Sequence, residues 1–213
     1  MQLLLKFFRK NCNLFGESVS ISIENKTVGI VIGNKNEDLL KRLVRQESAA
    51  QKIYYEKNVG KFLSISRSYI NDIFHAEDCV IKAFCKIFKS IETYRSEGNF
   101  DGWARRIVVN ECLNFLKTRK NIFYIDDTQY EFVAEAEESY EVEEIIDVQA
   151  LLDELPEAYR MVFNLHVLEE YSHQEIAEML QISVNASKTQ LFRAKQKLKT
   201  IYYNQKEKQN EAQ

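Results

Sequence analysis

The chain has 213 residues, enough for one or two domains with a buried core. Its composition of 45% hydrophobic and 29% charged residues is typical of a globular protein and argues against a disordered tail. One proline and six glycines are too few for the turns of a sandwich or barrel, so we expect an all-α fold. No apolar run is long enough to span a bilayer or to form a signal-peptide core, which predicts a cytoplasmic protein without membrane insertion.

The net charge of −3 is unevenly distributed along the chain. Residues 1–120 carry a net charge of +8, residues 121–159 carry thirteen acids and no Lys or Arg, and residues 160–213 carry +2. Apolar periodicity also fails in the acidic stretch, which predicts a linker over 121–149 between two helical domains, 36–120 and 150–201. The linker is either a solvated spacer or an anionic strand that mimics nucleic acid inside a partner's positive channel. Residues 202–213 form a polar tail.

The first 35 residues differ in pattern from the rest. Apolar residues alternate with polar ones from Val19 to Ile23 and from Val28 to Ile32, which predicts a small β-hairpin extension of unknown role.

Two helices stand out in the first helical domain. Between about Glu77 and Ile91, apolar residues recur at helical spacing and form one complete stripe. A turn at 94–99 precedes a second helix, predicted from about Phe100 to Thr118, which ends in a basic segment.

The second domain shows the signals of a helix-turn-helix. Pro156 suits the start of a helix reaching about Glu169, and Ser172 with Glu175 forms a capping box. A short helix over 173–180 is followed by a turn, a second cap at Ser183 and a final helix that contains no acid between 183 and 200. A basic helix of this kind is suited to the major groove of DNA.

These segments resemble a known family. The motifs YRMVFNL (159–165), YSHQEIAEML (171–180) and SKTQLFRAK (187–195) closely resemble region 4 of bacterial RNA polymerase sigma factors. Upstream, AEDCV (76–80) and FDGWARRIVVN (100–110) resemble region 2. The order of the two regions, with nothing in the place of region 3, is that of the extracytoplasmic-function (ECF) subfamily of the sigma-70 family. Gln181 stands where the family usually has glycine, which predicts a positive φ there.

The resemblance implies a function, partners and site residues. It implies a factor that binds the clamp helices and the flap of core RNA polymerase and recognises the −10 and −35 promoter elements. It also implies an anti-sigma factor as a partner. The polymerase contacts would be Glu77, Asp78, Lys82 and Lys86. The −10 element would meet aromatic and basic residues that suit unpaired bases and phosphates, namely Tyr94, Arg95, Phe100, Arg105, Arg106, Asn110, Lys117, Arg119 and Lys120. The upstream duplex would meet the exposed face of the last helix, with Ser187, Lys188, Gln190, Phe192, Arg193 and Lys195.

Other functions are less consistent with these patterns. A stand-alone helix-turn-helix regulator explains the second domain, but it gives no reason for the basic aromatic helix or the acidic linker. An adaptor that binds only proteins conflicts with the acid-free stretch at 183–200. No phosphate loop, nucleophile elbow or zinc shell is found, and the four cysteines have no metal-site spacing, so we expect no enzyme, cofactor or metal.

Overall fold

A computed structural model describes residues 33–94, 99–119 and 147–211. They form eight α-helices and no strand in these ranges: α1 Gly33–Val44, α2 Ser48–Tyr69, α3 Ile73–Ser90, α4 Phe100–Arg119, α5 Val148–Asp153, α6 Glu157–Phe163, α7 His173–Leu180 and α8 Val184–Glu211. The all-α prediction is therefore confirmed. The predicted hairpin, over residues 19–32, lies outside the described residues, and residues 33–35 of the predicted extension begin α1.

The chain divides into two compact units at Phe115 and Leu116, within α4. In the first unit, α3 begins at an N-cap, where the carboxylate of Asp72 accepts a hydrogen bond from the backbone N–H of His75. The predicted stripe on α3 is buried, with Val80, Phe84 and Ile87 at its centre. These side chains pack mainly against α2, which contributes Tyr54, Phe62, Ile65 and Tyr69 to the core.

In the second unit, the long helix α8 packs against α5, α6 and α7. Asp147 caps α5, accepting hydrogen bonds from the backbone N–H groups of Gln149 and Ala150. A π-helical segment, Asn164–Leu168, continues α6, so the predicted helix ends one residue before Glu169. Met161, Leu180 and Leu198 lie in the apolar core of this unit.

Candidate nucleic-acid and polymerase interfaces

Three half-buried aromatic rings cluster at the start of α4, and we call them the aromatic triad: Tyr94, which precedes the helix, and Phe100 and Trp103 within it. Phe100 stacks on Trp103 with ring centroids 5.4 Å apart, and Tyr94 lies 5.2 Å from Phe100 and 5.6 Å from Trp103. Asn99 caps the helix, its side-chain oxygen accepting from the backbone N–H of Asp101. Rings that are anchored at one edge and open to solvent at another can stack with a planar ligand.

Behind the triad lies a cavity of about 180 Å³, lined by residues of α1, α2 and the start of α4. Tyr54 and Phe100 line it, and their ring centroids are 5.4 Å apart. The hydroxyl of Tyr54 is buried and has no hydrogen-bond partner among the described residues. Burial, and secondarily the negative charge of Asp101, raise the pKa of Tyr54, so its hydroxyl remains protonated and able to donate. The cavity thus combines aromatic walls with polar groups.

The polar residues predicted on α4 differ in exposure. Arg106, Asn110, Lys117 and Arg119 are exposed, and Arg105 is partly exposed. Arg95 and Lys120 lie outside the described residues.

On α3, the residues predicted to contact polymerase lie outside the buried stripe. Glu77, Asp78, Lys82 and Lys86 are all exposed. Lys86 also has a structural role, because its ammonium group lies 2.9 Å from the carboxylate of Glu111 on α4.

Sequence reasoning did not identify two exposed apolar residues of α3. Phe74 is 73% exposed and Ile81 is 54% exposed, although both are large hydrophobic side chains. They are seven residues apart, which places them on one face of the helix, and neither belongs to the buried stripe. That spacing is the signal by which the sequence could have revealed this apolar surface.

The helix-turn-helix in the second unit has the predicted local structure. In the capping box, the backbone N–H of Glu175 donates to the Ser172 hydroxyl, and the backbone N–H of Ser172 donates to the Glu175 carboxylate. Ser183 caps α8 by accepting from the backbone N–H of Ala186. Gln181 has a φ of 56°, which confirms the left-handed conformation predicted for the turn. These features fix where α8 begins relative to α7.

On the recognition helix α8, the exposure of the predicted DNA-contacting residues differs in part from the prediction. Lys188 is exposed, and Phe192, Arg193 and Lys195 are partly exposed. Ser187 and Gln190 are buried, with exposed fractions of 0% and 4%, so the prediction that they lie on the exposed face is wrong. Both residues fall on the side of α8 that packs against the rest of the unit. The Ser187 hydroxyl lies 2.9 Å from Nδ1 of His173 on α7.

Within the described residues, no group of three or more potential ligands is placed to hold a metal ion. The described helices also include none that is both long and apolar enough to cross a membrane.

Comparisons with known proteins agree with this organisation. The family model "Sigma-70 region 2" matches residues 54–122, and the model "Sigma-70, region 4" matches residues 145–198. The RNA polymerase sigma factor SigV of Bacillus subtilis is 32% identical over 133 residues, covering 62% of this chain and 79% of SigV. The ECF RNA polymerase sigma-E factor of Haemophilus influenzae is 27% identical over 175 residues, covering 74% of this chain and 90% of that protein.

A solved structure, that of CnrH in complex with the cytosolic domain of CnrY, is similar with a TM-score of 0.45 and 18% sequence identity. This similarity covers 78% of this chain and 96% of the solved one. The two sigma regions in series and the relationship to these sigma factors show that the chain belongs to the sigma-70 family of RNA polymerase sigma factors, in its extracytoplasmic-function subfamily.

Proposed function

We propose a division of roles between the two units for this chain, which as a sigma factor recognises promoters and initiates transcription. The first unit binds core polymerase and holds the opened −10 element, and the second unit reads the upstream duplex of the −35 element. The observation that carries this proposal is the occurrence of both family regions in one chain, region 2 over 54–122 and region 4 over 145–198. A stand-alone regulator has no use for the first of these regions.

The aromatic triad and the cavity behind it support a role in strand opening. Unpaired bases are bound by stacking on aromatic faces and by hydrogen bonds to their edges. Phe100 offers such a face, and Tyr54 and Asp101 offer a donor and an acceptor at the cavity. Arg106 and Asn110 are exposed farther along the same helix and suit contacts with the phosphates of the separated strand.

The basic face of α8 supports duplex recognition. Lys188, Arg193 and Lys195 retain exposure on the helix that follows the turn, and Lys or Arg can read guanine or hold phosphate in the major groove. Gln190 is not assigned a base contact because its side chain is buried in the unit.

For polymerase, we propose that α3 docks on the clamp helices through Glu77, Asp78 and Lys82, together with the exposed Phe74 and Ile81. The second unit would contact the flap. An anti-sigma factor, by analogy with the subfamily, would hold the chain in the cytoplasm by covering these surfaces.

Promoter opening by purified holoenzyme tests the division of roles. Run-off transcription with core polymerase first establishes activity, and permanganate reactivity of promoter thymines then reports strand opening. We expect Lys188→Ala with Arg193→Ala to abolish recognition of the upstream duplex, since each lost base contact costs about 1–3 kcal/mol. Arg105→Ala, Arg106→Ala and Asn110→Ala together should leave duplex binding largely intact but block opening.

Both sets of variants should still bind core polymerase. The division of roles is wrong if the α4 variant opens DNA normally. If the wild-type chain never opens DNA with any core polymerase, the stand-alone regulator explains the molecule better.

A further inference from the structure

Two of the three histidines of the chain form a stacked pair beside the recognition helix. The rings of His166, in the π-helical segment, and His173, at the start of α7, are 4.5 Å apart between centroids and only 13° from parallel. His166 Nδ1 lies 2.9 Å from the carbonyl oxygen of Tyr171. Because a carbonyl only accepts, that nitrogen carries the proton, and His166 is fixed in one tautomer.

His173 is tied to the recognition helix itself. Its Nδ1 lies 2.9 Å from the hydroxyl of Ser187, which is fully buried on α8. A hydroxyl can accept as well as donate, so this hydrogen bond persists when the imidazole is protonated. Protonation of His173 therefore does not break its hydrogen bond to α8, and the free-energy cost of protonation is electrostatic.

That cost comes from the surroundings of the ring. Partial burial, His166, Lys188 and Lys195, in that order, lower the pKa of His173 below its usual value. The titratable groups that face it are the two lysines from α8 and the second imidazole from the π-helical segment. On its own helix, the carboxylate of Glu175 is engaged in the capping box.

We propose that His173 is a further DNA-contacting residue, a titratable phosphate contact that gains a proton when the second unit binds duplex DNA. This inference rests on the proposed function, since it needs Lys188 and Lys195 to lie at the DNA. Phosphates near these lysines reverse the local potential that opposes protonation. The imidazolium is already positioned by its hydrogen bond to Ser187, and it then adds one cation to this surface.

The sign of the pH dependence follows from this coupling. A proton that binds the complex more tightly than the free protein favours the complex as pH falls. We therefore expect duplex affinity to rise by about three- to tenfold between about pH 8 and pH 6, since one group titrates. At the lower pH the salt dependence should also steepen by about one unit of slope, as expected for one more neutralised phosphate.

The three histidines of the chain provide matched variants. The probe is a random-sequence duplex of about 20 base pairs at about 50 mM salt, because phosphate contacts do not depend on sequence. His173→Gln in the full chain should remove the excess pH dependence and the added salt slope. His75→Gln, whose ring packs on Phe115 in the first unit, and His166→Gln should both keep them. His173→Lys should bind at pH 8 as the wild type does at pH 6.

An NMR titration of the His173 ring with and without the duplex gives a second readout. Its pKa should rise on DNA binding, which a purely structural histidine would not show. Wild-type pH dependence in a folded His173→Gln variant, or an unchanged pKa in the complex, would overturn the inference while leaving the DNA-binding role of α8 intact. A chain that binds no duplex at either pH would overturn both.

Discussion

The two units of the chain present chemically different surfaces. In the first unit, the candidate contact surfaces contain large rings and apolar side chains that are held open to solvent, such as Phe100 in the aromatic triad and Phe74 on α3. In the second unit, the recognition helix instead presents cations to solvent, with Lys188 and Lys197 exposed and Arg193 and Lys195 partly exposed.

This difference follows from what each surface has to bind. An unpaired base offers a flat apolar face, which water solvates poorly and an aromatic ring covers well. A closed duplex offers phosphates and groove edges, which cations and hydrogen-bond donors recognise. The first surface must therefore leave aromatic rings exposed instead of burying them in the core of the unit. The second surface must present long polar side chains to solvent. Substitutions that remove one of these two kinds of contact and leave the other intact provide the sharpest tests.

The largest expected effect separates a buried phenylalanine from an exposed one in the first unit. Phe62 is 1% exposed, and its ring lies 5.0 Å from that of Phe84. Phe62→Ala should lower the free energy of unfolding by about 3–5 kcal/mol, through lost burial and the cavity left behind. Phe74→Ala, the same chemical change at an exposed site, should lower it by less than about 0.5 kcal/mol.

Urea unfolding of the two variants measures both free energies of unfolding. Binding to core polymerase is the second measurement, in which the exposed site should matter. Phe74→Ala should weaken that binding, since the side chain contributes apolar surface to the proposed docking face. Equal unfolding energies in the two variants would contradict the assignment of Phe62 to the core.

The next effect concerns the aromatic triad. Phe100→Leu keeps an apolar side chain but removes the flat face, so we expect promoter opening to weaken by about ten- to a hundredfold, as for one lost base stack. Phe88→Leu is the matched control, because Phe88 belongs to the same aromatic network through Tyr54 and Phe84. Permanganate footprinting should show a loss for Phe100→Leu only, with duplex binding unchanged in both. A similar loss in both would assign the rings to packing alone.

Local signals predicted the parts of the fold that depend on neighbouring residues. The stripe on α3 and the capping box at Ser172 each follow from a few adjacent positions, and each is present. The positive φ at Gln181 followed from the resemblance to the family, which usually has glycine there, and it is present too. The fold class followed from the scarcity of proline and glycine.

The exposed surface of α8 was predicted less well, because a helix does not determine which of its faces is covered. Gln190 is buried by packing within the unit, and Ser187 is buried where it meets His173. The contact of Ser187 joins two helices, so it depends on how α8 packs on α7 and not on the sequence of α8 alone. The exposure of Phe74 escaped prediction for a related reason, since an apolar residue is assumed to be buried until the surrounding elements are placed.

The smallest expected effect compares two glutamines, one in each unit, that adopt the same left-handed conformation. Gln46 follows α1 with a φ of 58°, and Gln181 follows α7 with a φ of 56°. The Gln46 side-chain amide donates to the carbonyl oxygen of Phe88 and accepts from Gln51. Gln181 is exposed and shows no side-chain hydrogen bond to the described residues.

Glycine removes the left-handed strain of about 1–2 kcal/mol at either site, at an entropic cost of about 0.5–1 kcal/mol. Gln181→Gly should therefore raise the free energy of unfolding by about 0.5–1 kcal/mol, whereas Gln46→Gly should lower it by a similar amount because two hydrogen bonds are lost. Calorimetric melting of the full chain measures both changes. If both variants gain stability, the Gln46 hydrogen bonds contribute little. If both lose it, the strain at Gln181 is smaller than the left-handed conformation implies.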